Sequence, residues 1–343
     1  MSKSKWSSYS ESFYKEAIKS GYSEYQISSY LDYAQNLFIS GVPIIFDQIH
    51  LSLLVGYKFD YLLRISASQE KFYNIYQIPK KSSGTRTIAE PLPDLKIVQR
   101  WILENILSKI KVSKFAKAYI KGKSIRSNAW FHQQRDIIVR IDINDFFGSI
   151  NYKKIYNTFS GIGYNKPVST LLGNLCVLDN KLPQGAPTSP ALSNIVFTSI
   201  DKRISSFVVG KDIRYTRYAD DLTFSGNFKP GMIIKFVKSV LSENGLEINI
   251  KKTRVLKKHQ RQLITGVVVN EGMHAPREMR RKLRQSVYFI EQYGLSSHLD
   301  MTNNDRANHV RHLLGIANFI LFIDPNDSQA LKSKRILSKY LDD

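Results

Sequence analysis

Two aspartates stand side by side, Asp220 and Asp221, within the run Ile-Arg-Tyr-Thr-Arg-Tyr-Ala-Asp-Asp-Leu-Thr-Phe-Ser that begins at Ile213. Two carboxylates that close repel unless a cation or a hydrogen-bond donor compensates them. A solvated turn is the ordinary explanation of an Asp-Asp pair. Here, however, two short apolar strands, Ile213 to Arg217 and Leu222 to Ser225, flank the pair as a hairpin would and hold it at a sheet surface. A third carboxylate, Asp142, ends another apolar strand and is followed by Phe146 and Phe147. Hard oxygen ligands without His or Cys favour Mg²⁺, which takes its remaining ligands from water and substrate phosphates. Two such ions can clamp the attacking and leaving oxygens of an in-line displacement at phosphorus, one of them lowering the pKa of the attacking hydroxyl. A primer hydroxyl attacking the α-phosphate of a nucleotide has that requirement.

The elements that must position these groups follow from periodicity. Ile137, Val139, Ile141 and Ile143 fall on one face of a strand, leaving Arg140, Asp142 and Asn144 on the other. Residues 1–70 read as helical: Ile27, Tyr30, Leu31, Ala34, Leu37 and Phe38 recur at helix spacing before Gly41-Val42-Pro43, and a helical pair covers Ile44 to Ile65. Phe72 to Ile88 reads as a basic hairpin with its turn at Lys80-Lys81-Ser82-Ser83-Gly84. Leu95, Val98, Ile102 and Ile106 make one helical stripe from about Asp94. Pro183-Gln184-Gly185-Ala186-Pro187 is a loop, Ser189 an N-cap and Pro190 the start of a helix through Phe207. Leu246 to Ile250 and Leu263 to Val269 alternate as strands, and the chain from Pro276 onward is helical. Helix and strand alternate irregularly, so the fold class is α+β rather than a doubly wound sheet.

Composition bounds the partner. Fifty Lys plus Arg against 29 Asp plus Glu give a net charge of +21, a field that attracts a polyanion and makes nucleic acid the leading partner class. Nineteen Tyr, 18 Phe and three Trp supply rings that could stack on bases, although most rings in such a chain belong to its core. The single Cys176 cannot pair within the chain, and no histidine sits beside a second thiol at zinc-ligand spacing. The N-terminal residues lack an apolar signal core and the apolar stretch Ile316 to Ile323 is too short for a bilayer, so a cytoplasmic protein without a membrane partner is expected.

Phe-Phe after Asp142, the loop Leu-Pro-Gln-Gly-Ala-Pro-Thr-Ser-Pro and Tyr-Ala-Asp-Asp together resemble, in order, the palm motifs of reverse transcriptases. The resemblance implies a right-hand polymerase fold preceded by an N-terminal helical segment: residues 1–70 for that segment, 71–136 for fingers, 137–270 for palm and primer-grip hairpin, and 271–343 for a basic helical thumb. It implies that Asp142, Asp220 and Asp221 are catalytic and hold two Mg²⁺ ions, for which Mn²⁺ can substitute, with the Ile143 carbonyl as a further ligand. Phe147 matches the aromatic gate against a nucleotide 2′-hydroxyl; a core Phe is the alternative. Gln184 and Gly185 match the loop lining the nucleotide pocket. Arg86 with Lys80 or Lys81 resembles the fingers hairpin that grips the triphosphate, a solvated basic turn being the alternative. Lys252 resembles the lysine that protonates departing pyrophosphate; a phosphate contact or plain surface charge are the other readings.

Two further matches narrow the class. Asn128-Ala129-Trp130-Phe131-His132 matches the Asn-Ala-x-x-His signature of retron reverse transcriptases, and Ile264-Thr265-Gly266 resembles their Val-Thr-Gly, with Ile in place of Val. By themselves Asn128 is a turn former and His132 a hydrogen-bonded core histidine, so both segments are assigned to RNA recognition or structure rather than chemistry. Arg277, Arg280, Arg281 and Arg284 recur at helical spacing after Pro276 and would offer phosphates one basic face, or simply be solvated. The resemblance implies a cognate structured non-coding RNA as primer and template, dNTPs as substrates, synthesis from an internal guanosine 2′-hydroxyl, a branched RNA–DNA product, and a role in anti-phage defence with a separate effector protein. No second carboxylate cluster follows Ser225, so template removal is expected to need a host ribonuclease H. The rival readings are a group II intron-like or other bacterial reverse transcriptase and a catalytically silent RNA-binding scaffold.

Overall fold

A computed structural model describes residues 3–80, 84–302 and 308–341. Along the chain run helices α1 (Lys3–Lys19), α2 (Glu24–Ser40), α3 (Gln48–Val55) and α4 (Phe59–Ala67), strands β1 (Tyr73–Pro79) and β2 (Thr85–Pro91), and helices α5 (Pro93–Asn105) and α6 (Ile125–Trp130). Strand β3 (Ile137–Asp142) precedes helices α7 (Tyr152–Ile162), α8 (Lys166–Cys176), α9 (Ser189–Val196) and α10 (Thr198–Val208). Then come β4 (Arg214–Tyr218), β5 (Asp221–Gly226), α11 (Pro230–Glu243), β6 (Arg254–Lys257), β7 (Leu263–Ile264), β8 (Val267–Val268), α12 (Arg277–Thr302), α13 (His309–Ile323) and α14 (Ser328–Ser338). Among these, α12 is broken at Gly294, whose φ of 81° and ψ of 164° are not helical.

The chain divides into two compact units. The first comprises Met1–Lys114, Ile143–Ile204 and Val240–Glu247. Its core gathers Leu37, Ile45, Leu62, Ile65, Val98, Ile102, Phe159, Leu171 and Leu175, each contributing about 1.5–3 kcal/mol relative to exposure. The stripe expected on α5 is buried at Leu95, Val98 and Ile102. Local chemistry sets the helix ends: Ser23 and Gln26 form a capping box at the start of α2, and Gly41 ends it at φ 71°. The basic hairpin forms, β1 pairing antiparallel with β2 from Tyr73↔Pro91 to Pro79↔Thr85.

The second unit comprises Phe115–Asp142, Ser205–Ser239 and Ile248–Asp343. Its sheet runs β4-β5-β3-β6 with every neighbour antiparallel. The β7–β8 hairpin and helices α12 to α14 share a core of Ile138, Ile264, Val267, Leu283, Ile290, Ala317, Ile320 and Leu337. At the tip of β7–β8, Thr265 and Gly266 take φ values of 44° and 86°. Two left-handed residues in succession fit the twist of a tight hairpin, which accounts locally for a glycine at position 266.

Two local expectations differ from the structure. The helix expected from Ser189 through Phe207 is two helices, α9 and α10, that meet at Phe197, and Thr188 rather than Ser189 occupies the N-cap. Ser189 donates its hydroxyl to the Pro183 carbonyl at 2.8 Å instead. Leu246 to Ile250 forms only an isolated bridge at Ile248. The backbone N–H of Asn249 donates to the Asp142 carbonyl at 2.7 Å, the chain then turns, and Arg254–Lys257 becomes the strand beside β3.

Candidate active site

Antiparallel pairing places Asp142 directly opposite Asp221 at the ends of β3 and β5. Tyr218 pairs with Asp221 to close the β4–β5 hairpin, leaving Ala219 and Asp220 at its tip. Ala219 takes a left-handed φ of 56°, a conformation costly for a residue with a Cβ and commonly kept where it aims a functional group. The buried Arg217 guanidinium supports this turn by donating to the Ala219 carbonyl at 3.2 Å.

The three carboxylates are short of positive charge. Burial and then the neighbouring Asp142 raise the Asp220 carboxyl above the usual range. Burial also raises Asp221, although Arg140 opposes the shift. The Arg140 guanidinium pairs with Asp221 and donates to the Leu263 carbonyl at 3.1 Å. Lys252 Nζ lies 3.1 and 3.3 Å from the two Asp142 oxygens. Sequence reasoning placed Arg140 on the polar face of β3 but gave it no role, and it did not single out Arg217. The alternation that put Arg140 beside Asp142 was the available signal for the first.

Among the described residues, no three His, Cys, Asp or Glu side chains are already gathered around a common point for a metal ion. Two of the three carboxylates are instead held by Lys252 and Arg140. The donor set is nevertheless all hard oxygen, and the mutual repulsion of Asp142 and Asp220 is of the kind a divalent cation relieves. These residues therefore fit such an ion.

Behind the hairpin lies a buried polar chain. Thr216 Oγ1 donates to Asn128 Oδ1 at 2.7 Å, and His132 bridges Thr216 Oγ1 through Nε2 and Ser225 Oγ through Nδ1, both at 2.7 Å. Asn128 Nδ2 reaches Thr265 Oγ1 at 3.4 Å. Asn128, His132 and Ile264 are fully buried. The two segments assigned to recognition or structure are thus joined to each other and to the strands that carry Asp220 and Asp221. Burial, reinforced by Arg214, Arg135 and Lys117, pushes the His132 pKa down to about 3.

Within the first unit, Gln184 and Gly185 lie against β2: the Ala89 N–H donates to the Gln184 carbonyl at 2.9 Å. Gly185 has φ 140°, and a Cβ there would fall 2.5 Å from the Ala89 carbonyl oxygen. We expect Gly185→Ala to push the loop off β2 and lower the melting temperature; an unchanged melting temperature would contradict this packing. Arg86 on β2 and Lys80 beyond β1 are exposed, while Lys81 lies outside the described residues. Phe147 is half-buried, packs on the core of this unit, and meets Phe146 with ring centroids 5.4 Å apart. Ile143 is buried.

In the second unit, Arg277, Arg280, Arg281 and Arg284 line a pocket of ≈ 430 Å³ together with Arg261 and His274. Asp327 holds Arg280 at 2.8 Å and Asp324 holds His274 at 3.0 Å, so part of this basic wall is fixed in place.

A family model described as reverse transcriptase (RNA-dependent DNA polymerase) matches residues 78–269. The retron Ec86 reverse transcriptase of Escherichia coli is 32% identical over 296 residues, covering 85% of this chain and 89% of that protein. The retron Mx65 reverse transcriptase of Myxococcus xanthus is 30% identical over 305 residues, covering 83% of this chain and 69% of the relative. Among solved structures, a telomerase from Candida albicans in complex with a fragment of telomeric RNA is similar at 10% identity and a TM-score of 0.45. It covers 78% of this chain, which spans 63% of the telomerase. The chain belongs to the retron reverse transcriptases, within the reverse transcriptase family. Its activity is RNA-directed DNA polymerisation on an α+β right-hand polymerase fold, and enzymes of this kind generally use divalent metal ions. No helix among the described residues is long and apolar enough to cross a membrane.

Proposed function

We propose that this polymerase copies part of a cognate structured non-coding RNA into DNA, starting from an internal guanosine 2′-hydroxyl and leaving a branched RNA–DNA hybrid. The observation that carries the catalytic part is the convergence of β3 and the β4–β5 hairpin, which sets Asp142 opposite Asp221 with Asp220 at the adjoining tip. Asp142, Asp220 and Asp221, with the Ile143 carbonyl, would hold two Mg²⁺ ions, and Mn²⁺ would substitute. When bound, such ions activate the attacking hydroxyl and offset charge on the leaving pyrophosphate. Lys252, beside Asp142, would give a proton to that pyrophosphate. Arg86 with Lys80 or Lys81 would hold the triphosphate, and Gln184 and Gly185 would line the nucleotide pocket. In this reading residues 71–136 act as fingers, 137–270 as palm and 271–343 as thumb.

Phe147 is assigned to exclusion of a ribose 2′-hydroxyl. Phe147→Ala is expected to raise ribonucleotide incorporation relative to deoxynucleotide by about tenfold or more, since the ring's loss removes a steric barrier of more than about 1.4 kcal/mol. Unchanged selectivity, measured by competing labelled rNTPs and dNTPs, would remove the gate role.

The arginine-lined pocket is assigned to the RNA backbone, and the chain to a cytoplasmic defence unit with a separate effector protein and a host ribonuclease H. Sequencing the co-purified nucleic acid before and after treatment with a 2′–5′ debranching enzyme tests the priming scheme. A DNA strand that gains a free 5′ end only after debranching supports it; a DNA strand with a free 5′ end beforehand contradicts it.

A further inference from the structure

The segment from Asn128 to Arg135 has two faces. Asn128 and His132 point into the polar chain behind the β4–β5 hairpin. Trp130, Gln133, Gln134 and Arg135, joined by Arg214 from β4, line an open pocket of ≈ 420 Å³.

Trp130 is 57% exposed, unusual for the most costly ring to leave in water. Its ring meets Phe131 edge-on at 5.3 Å, and its carbonyl accepts from the Gln133 amide at 3.2 Å. Arg214 donates to the Phe131 carbonyl at 2.8 Å, and Arg135 is paired at 3.6 Å with the exposed carboxylate of Asp212. The Gln134 backbone, at φ 55°, donates to the Val269 carbonyl at 3.0 Å. A flat ring, two side-chain amides and two guanidiniums around one pocket match the parts of a nucleotide. The ring offers a stacking face, the amides offer a donor and an acceptor for a base edge, and the arginines offer charge for a phosphate. Burial and then Arg135 lower the Arg214 pKa, with Asp212 offsetting part of the shift, so the two guanidiniums can still accept a further anion. A base still paired in a duplex cannot present its face to Trp130.

We propose that this pocket takes one unpaired nucleotide of the bound RNA, its base stacked on Trp130 and its phosphate held by Arg135 and Arg214. The inference rests on the reading of the chain as an RNA-handling polymerase, and it assigns the outward residues of the Asn128–His132 segment to recognition while the inward ones are structural. It names a site in addition to the carboxylate centre and the arginine-lined pocket.

The test is tryptophan emission of the full-length protein titrated with a short single-stranded oligoriboadenylate. Subtracting the emission of Trp130→Phe, which retains Trp6 and Trp101, isolates the Trp130 signal. That signal should be quenched saturably, and in Arg135→Ala the half-saturation point should move to about tenfold higher concentration, as for loss of one good nucleotide contact. A fully paired RNA duplex should leave the signal unchanged. The proposal is overturned if saturating oligoriboadenylate leaves the Trp130 signal unchanged, as it would be if the pocket served a protein partner. It is also overturned if AMP alone quenches at the same concentration, which would make the site one for free nucleotide. Far-UV circular dichroism and a melting temperature at wild-type values verify that Trp130→Phe and Arg135→Ala fold, and extension of an oligo(dT) primer on poly(rA) by the wild-type protein checks the polymerase reading separately. Failure of the wild-type protein in that extension would count against the polymerase reading, whatever the emission shows.

Discussion

Asp220→Asn is expected to cut DNA synthesis by about a thousandfold or more, equivalent to about 4 kcal/mol of transition-state stabilisation, while RNA stays bound and the fold becomes more resistant to heat. The loss of activity follows from the position of Asp220 at the tip of the β4–β5 hairpin, beside the Asp142–Asp221 pair. The gain in stability follows from the raised pKa of its carboxyl, caused first by burial and then by Asp142. A carboxyl raised in the folded state contributes stability below its unfolded pKa and loses that contribution as pH rises through the folded value. At neutral pH the ionised group therefore opposes folding, and the neutral amide removes the penalty. Thermal melts in a chelating buffer should show the Asp220→Asn variant melting above wild type at pH 7, with the gap closing as pH falls toward 4. A variant that polymerises at the wild-type rate would contradict the catalytic assignment, and a lower melting point at pH 7 would contradict the electrostatic one.

His132→Ala should cost about 2 kcal/mol of folding stability, because it leaves the buried Ser225 hydroxyl without its ring partner and takes from Thr216 one of its two, the bond to Asn128 remaining. The same residue predicts acid sensitivity. Its pKa of about 3 in the folded protein lies well below the unfolded value of 6.5. The unfolded chain therefore binds the extra proton first, and stability falls as pH drops from 6.5 toward 3. The slope reaches about 1.4 kcal/mol per pH unit for one such group. Urea unfolding at pH 7 and pH 5 measures both effects. In His132→Asn the component of the pH dependence due to this ring should vanish; an identical pH dependence in variant and wild type would show that the histidine is not buried in neutral form.

Much of the centre was legible in the sequence because β-strand alternation is strict. Ile137 to Ile143 could place Asp142 on a polar face, and Ile213 to Ser225 could place Asp220 and Asp221 at a turn, without any knowledge of what the strands pair with. The stripe on α5 was legible from a different period, the three-to-four-residue spacing of Leu95, Val98 and Ile102, and the basic hairpin from its turn residues. What could not be read was pairing between distant segments. Leu246 to Ile250 alternates as a strand does, yet its backbone is used in a turn that bonds Asn249 to Asp142, and β6 forms further along. Nothing in composition marks the interleaving of three chain segments in each compact unit, since those boundaries are set by which apolar faces meet.

The Asn128–His132 segment illustrates the limit more sharply. Its residue types allowed recognition or structure, and only the tertiary arrangement separates the buried Asn128 and His132 from the exposed Trp130. Arg140 lay in plain view on the strand, but its partner Asp221 is brought to it by the β3–β5 register. A salt bridge across a sheet cannot be inferred from either strand alone.

The central claim, that the carboxylates on β3 and the β4–β5 hairpin drive DNA synthesis on a bound RNA, is tested most directly by incubating the purified RNA complex with labelled dNTPs and Mg²⁺. The account predicts label joined covalently to the co-purified RNA in the wild-type complex, and none after prior ribonuclease digestion or in Asp220→Asn. Incorporation that survives ribonuclease pretreatment, or that persists in the variant, would contradict it.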